Sequence, residues 1–85
     1  MRKNSMDELG ERGDWYFIRD ERIGIKYGEG EWDVVILPIH AKYAVRWEWN
    51  GDMDSPTLSP SILVYGGGSA AAWHGYLRDG VLIDA

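Results

Sequence analysis

Trp47-Glu48-Trp49-Asn50-Gly51, and after it Ser55-Pro56-Thr57-Leu58-Ser59-Pro60-Ser61-Ile62, decide the reading of this chain. The first block puts two tryptophans on one face of a strand and ends in Asn-Gly, the favoured two-residue hairpin dipeptide. Asp52 to Ser55 can widen that turn into a longer loop. The second block is held extended by two prolines, and neither can donate to a sheet ladder. It therefore reads as an edge or crossing segment.

The same alternation extends outward in both directions. Tyr43, Val45, Trp47 and Trp49 share one face, with Arg46 and Glu48 on the other, which predicts a strand over Tyr43–Trp49 with Trp47 in the core. Upstream, Trp15-Tyr16-Phe17-Ile18-Arg19 reads as a strand by its aromatic and β-branched content, and Asp20-Glu21 as a tight turn. Ile23 and Ile25 alternate with polar residues or glycine in the returning strand. Gly28-Glu29-Gly30-Glu31 breaks the pattern, and Trp32 to Leu37 is a short apolar run ending at Pro38, a central strand rather than a helix. Downstream, Ser61 to Tyr65 and Trp73 to Arg78 are strands. Gly66-Gly67-Gly68-Ser69 is a loop, and Ala70-Ala71-Ala72 is ambiguous between strand and helical turn. Asp79-Gly80 then makes a hairpin into Val81 to Ile83. About seven short strands with regular turn signals predict an all-β, mostly antiparallel domain: a small sandwich or rolled sheet with at most one short helix.

With 85 residues there is room for one core, placed here at residues 14–85 behind a flexible polar arm at residues 1–13. Five Trp and five Tyr must supply much of the burial. The absence of cysteine excludes disulfides, thiolate metal sites and a Cys nucleophile, and suits a reducing bacterial cytoplasm. No apolar run reaches the ~20 residues of a membrane span. A net charge of −5 argues against direct nucleic-acid binding and suits a partner protein that is itself basic.

In this order, Trp-Glu-Trp-Asn-Gly, Pro56-Thr57-Leu58-Ser59-Pro60-Ser61-Ile62 and His74-Gly75-Tyr76-Leu77-Arg78-Asp79-Gly80 resemble a family of small proteins of unknown function common in phages and prophages. Some of its members are mislabelled ammonia monooxygenase. The resemblance runs from about Ile23 to Ile83 and implies a β-fold and a phage or prophage setting, with no activity to transfer. Many members of that family place Cys where Trp73 stands here and carry a cysteine-rich knuckle near Gly28-Glu29-Gly30. Many also continue beyond the last hairpin with an Asp/Thr/His segment. This chain has no cysteine and ends at Ala85, so a zinc site built from those residues would be lost.

Motifs for catalysis are sparse. His40 and His74 have no metal-ligand spacing, and His74 reads as a structural histidine, with a metal site shared with Asp52, Asp54 or Asp79 as the alternative. Ser55, Ser59, Ser61 and Ser69 offer hydroxyls, but no Gly-x-Ser-x-Gly elbow surrounds them, and serines beside prolines commonly bond to backbone in turns. Gly66-Gly67-Gly68-Ser69 lacks the ending of a phosphate loop. Neither a cofactor nor a catalytic group is expected. The reading that follows is a non-catalytic, phage-encoded module that binds and inhibits a host protein, such as an anti-defence protein. Its contacts are Glu29, Glu31, Asp52 and Asp54 in the two loops that project from the sheet. Two other classes stand beside it: a degenerate metal-binding module or small hydrolase, and an assembly accessory that self-associates through an edge strand.

Overall fold

The computed structural model describes residues 1–66 and 71–85, and among them the fold is all-β, as expected. Nine strands follow in chain order: β1 (Arg2–Lys3), β2 (Trp15–Ile18), β3 (Arg22–Lys26), β4 (Val34–Pro38), β5 (Glu48–Trp49), β6 (Leu58–Ser59), β7 (Ile62–Tyr65), β8 (Ala71–Arg78) and β9 (Val81–Asp84). One 3-10 turn, Met6–Glu8, stands between β1 and β2. The strands form three sheets: β1-β2-β3-β4, the pair β5-β6, and β7-β8-β9. Every pairing is antiparallel except that of β1 with β2. No helix among the described residues is long and apolar enough to cross a membrane.

The core lies where the sheets meet. Trp15, Ile23, Ile25 and Leu37 from the first sheet close on Ile39, Leu58, Ile62 and Leu77, and all eight are buried. Phe17 packs edge-on to Trp15 and against Trp49, which ties the first sheet to the small second one. Burying an aliphatic side chain of this kind contributes about 1.5–3 kcal/mol, so this cluster is the main favourable term in so short a chain.

Several local expectations hold with changed boundaries. The hairpin at Asp79-Gly80 has two loop residues, both at positive φ (50° and 75°), as a type I′ turn requires. The first hairpin turns instead on three residues, Arg19 to Glu21, with Arg19 at φ 57°. Ala71 and Ala72 open β8 and are not helical; Gly67 to Ala70 lie outside the described residues. Residues 1–13, expected as an arm, lie against the domain: Arg2 and Lys3 pair with Trp15 and Tyr16, and Arg12 bonds to the Tyr27 carbonyl.

Two expectations fail, and one open alternative is decided. Only Glu48–Trp49 of the long predicted strand enters a ladder, and Val45 is 78% exposed instead of sharing the core with Trp47. Alternation alone does not supply a partner strand, and beyond one bond from the Trp47 N–H to the Pro38 carbonyl this segment has no ladder. Trp47 is half-buried with its indole Nε1 unpaired. Trp32 is 79% exposed, because Asp33 bends the chain before β4: its carboxylate takes the Gly30 N–H, and its own N–H reaches the Gly30 carbonyl. The Asn50-Gly51 turn is the wider alternative, an eight-residue loop between Trp49 and Leu58. The Asn50 side chain bonds to Asp52, Ser55 and Thr57 across it.

Candidate active site

In the proline-serine segment Pro56, Leu58 and Ile62 are buried, Thr57 and Ser61 half-buried, and Ser59 and Pro60 exposed, so Ser61 stands outward beside the inward Ile62. The peptide between Ser59 and Pro60 is cis. Strand β8 repeats the logic: Gly75 and Leu77 are buried and Trp73 packs on the core, while His74, Tyr76 and Arg78 face outward. Strands β7 and β8 pair with Ile62 opposite Gly75 and Leu63 opposite His74. That register puts the two outward sets on one face.

On that face the His74 Nε2 lies 3.1 Å from the Ser61 Oγ. Ser61 is half-buried and His74 exposed, so both atoms are open to a reactant. With the ring proton on Nδ1, the serine hydroxyl donates to Nε2, the arrangement in which an imidazole removes the proton of a nucleophile. This is the only Ser–His hydrogen bond among the described residues. His40 is used elsewhere, its Nδ1 accepting the Lys42 N–H within a turn.

The supports of the pair are local. The Asp79 N–H bonds to the Thr57 Oγ1 at 2.9 Å, and the Gly80 N–H to the Pro56 carbonyl at 2.9 Å. The Trp15 indole caps the Gly80 carbonyl from the core side. The β8–β9 turn is thereby clamped to the segment that carries Ser61. On the inner side Trp73 is held by the Asp84 carboxylate at 2.7 Å and by stacking on Tyr27. Its ring covers Gly75, where a Cβ would fall 2.2 Å from the indole. Tyr76 flanks His74 with ring centroids 6.4 Å apart.

The dyad lies on an open sheet face rather than in a cleft. Concavities among the described residues lie elsewhere, one of them between Arg12, Asp14 and Leu82. Around the dyad the outward neighbours are Leu63 (42% exposed), Val81 (58%) and Ile83 (39%), with Ile83 paired to Tyr76 and Val81 to Arg78. A polar pair amid aliphatic side chains is a surface on which a polypeptide can lie.

The sites expected from sequence fall apart from this face. Glu29 and Glu31 are in the β3–β4 loop, and Asp52 and Asp54 in the β5–β6 loop. The Asp52 carboxylate is spent inside its loop on the Asp54 and Ser55 N–H groups, and Asp54 pairs with Arg2. The metal alternative is not assembled: no cluster of three His, Asp or Glu side chains forms among the described residues, and His74 faces Ser61 rather than Asp52, Asp54 or Asp79.

A family model described as bacterial ubiquitination-like system serine protease (BubE) matches residues 4–84. No curated protein and no solved structure matches the chain. The family match overturns the reading of a non-catalytic inhibitor and the expectation that the chain is no enzyme. In sequence Ser61 reads as a turn serine and His74 as a structural histidine, because what brings them together is strand register. Nearly the whole chain is covered, and it belongs to the BubE family of serine proteases of bacterial ubiquitination-like systems.

Proposed function

We propose that this chain is a serine protease in which Ser61 is the nucleophile and His74 the general base, acting on a protein of a ubiquitination-like system. The observation that carries the reading is the 3.1 Å contact between the Ser61 Oγ and the His74 Nε2 on an accessible face. In the first half-reaction His74 takes the hydroxyl proton as the Ser61 Oγ attacks the scissile carbonyl carbon. The tetrahedral adduct collapses when the His74 imidazolium gives that proton to the leaving amine. An acyl-Ser61 ester remains. Water then attacks the ester, His74 again taking the proton, and the free carboxylate departs as the serine recovers its hydrogen.

His74 lies within β8 and Ser61 directly before β7, its paired strand, and the Thr57–Asp79 bond ties the segment that leads to Ser61 to the turn that follows β8. Among the described residues, the side-chain hydrogen bond of His74 is the one to Ser61, and Tyr76 packs beside the ring. The open setting suits a folded substrate that delivers an extended segment to the sheet. The substrate itself then covers the reacting bond.

The test is covalent labelling and turnover. A fluorophosphonate probe should modify Ser61 alone, with the site identified by peptide mass spectrometry. Ser61→Ala should abolish labelling and hydrolysis, and His74→Ala should slow both by about 10²–10⁴-fold. Labelling at Ser55 or Ser59, or a Ser61→Ala variant that still cuts, would remove Ser61 from the role.

A further inference from the structure

We propose that Arg78 is a specificity-determining residue that binds a carboxylate of the substrate a few residues from the bond that is cut. The inference rests on the assignment of the Ser61–His74 face as the substrate face. Arg78 is outward on β8, in line with His74 and Tyr76. Its guanidinium carbon lies 4.3 Å from the Tyr76 ring centroid, and that ring is 6.4 Å from the ring of His74. An extended chain advances about 3.3 Å per residue, so the guanidinium is within reach of a group about three residues from the reacting carbonyl.

The charge setting singles this arginine out on the catalytic face. Arg2, Arg12 and Arg46 each sit against a carboxylate, of Asp54, Asp84 and Glu48 respectively. Arg78, like Arg19 and Arg22, has no such partner among the described residues, but of these three it alone belongs to the third sheet, and residues 67–70 contain no acid that could supply one. In a chain of net charge −5, an unpaired cation on the face of the dyad is a local exception. The guanidinium lies over the Tyr76 ring, and none of its N–H groups has a hydrogen-bond partner among the described residues, the state in which arginine takes a carboxylate with two parallel bonds. Val81 lies directly across the ladder from Arg78, and Ile83 across from Tyr76. The occupant that fits is therefore an extended segment with aliphatic side chains and one carboxylate. That carboxylate comes either from an Asp or Glu side chain or from the chain terminus.

Binding can be read without turnover in the full chain carrying Ser61→Ala. Nitrogen-15 spectra would follow the Arg78 side chain and the His74 amide while short Leu- and Ile-containing peptides are titrated in. One set carries Asp or Asn at each position in turn, and a second compares a C-terminal acid with its amide. The expected result is one position where Asp, or the terminal acid, binds about tenfold or more tightly than its neutral counterpart, both signals moving together. Arg78→Gln should erase that preference, and Arg78→Glu should shift it to a Lys peptide. Arg78→Lys should restore part of it. A preference that survives Arg78→Gln, or a library in which no acid is preferred, would overturn the proposal. Hydrolysis by the unsubstituted chain, followed separately, keeps the two assignments apart: cleavage without acid preference sinks Arg78 alone, and acid binding without cleavage sinks the protease assignment alone.

Discussion

Strands β3 and β8 are each the middle of a sheet, yet they are built for opposite ends. In β3, Ile23, Gly24, Ile25 and Lys26 are all buried, so both faces of this strand are covered. In β8, Gly75 and Leu77 are buried while His74 and Arg78 are exposed, so the third sheet keeps one face in solvent. Each strand also carries a glycine under an aromatic ring, Gly24 beneath Tyr16 and Gly75 beneath Trp73. The first sheet spends its side chains on cohesion. The third presents half of its side chains to solvent, and is anchored to the core through Leu77 and the clamped turn at Gly80. Cohesion and exposure are thus divided between sheets that share one core.

The largest test of that division is truncation on either side of it. Ile25→Ala should cost about 2–5 kcal/mol, since Ile25 is fully buried and its neighbours are fixed by the ladder. Leu63→Ala on the open face should change stability by no more than about 0.5 kcal/mol. Urea denaturation followed by tryptophan fluorescence measures both. Equal losses would mean that the open face is covered, and the division between the sheets would fall.

A smaller effect separates the two glycines. The nearest atoms to a Cβ on Gly24 would be those of the Tyr16 ring, the first at 2.2 Å, whereas one on Gly75 would meet the Ile83 carbonyl oxygen at 2.3 Å as well as the Trp73 ring. A ring can tilt, but the backbone of a paired strand cannot step aside without breaking β8–β9. Gly75→Ala should therefore cost more than Gly24→Ala, within the range of about 1–3 kcal/mol for overpacking. It should also lower activity beyond its effect on folded fraction, because His74 and Tyr76 flank the site. A Gly75→Ala variant with normal stability and turnover would show that the third sheet is looser than its contacts imply.

The same contrast explains what could be read from the chain. Ile23-Gly24-Ile25, the Val34 to Leu37 run and the Asp79-Gly80 turn announce themselves through local pattern and turn chemistry. The strand expected over Tyr43–Trp49 failed because alternation states which side faces inward, not whether a neighbour exists to pair with. The dyad was invisible for a related reason. Outward placement of Ser61 follows from Pro56, Leu58 and Ile62, and that of His74 from Trp73, Gly75 and Leu77. Their meeting needs the Ile62–Gly75 register, across a glycine-rich connection whose sequence dictates no turn type. A search for a Gly-x-Ser-x-Gly elbow looks for a strand-to-helix turn and passes over a serine at the start of a strand.

The smallest effect is expected in acid, and it belongs to the first sheet. Asp14 is 4% exposed, and burial alone would raise its pKa. The backbone N–H groups of Glu11 and Gly10 on its Oδ2, with the positive Met1 terminus and Lys3 nearby, outweigh that and leave the carboxyl below its ordinary range. A carboxyl held lower in the folded chain than in the unfolded one contributes stability above the unfolded value, about 3.9, and loses it as pH falls through the folded value. Asp14 also braces the start of the first sheet, its carbonyl accepting the Lys26 N–H. Acid should accordingly loosen β1 and residues 10–14 before it touches β7–β9. Hydrogen exchange at pH 7 and below pH 4 would report faster exchange at Trp15 and Lys26, with the amides of β8 still protected. In Asp14→Asn the early acid step should vanish, since no carboxylate is left there to protonate. If that variant loses protection at Trp15 over the same pH range as the unsubstituted chain, another group sets the acid limit of the first sheet.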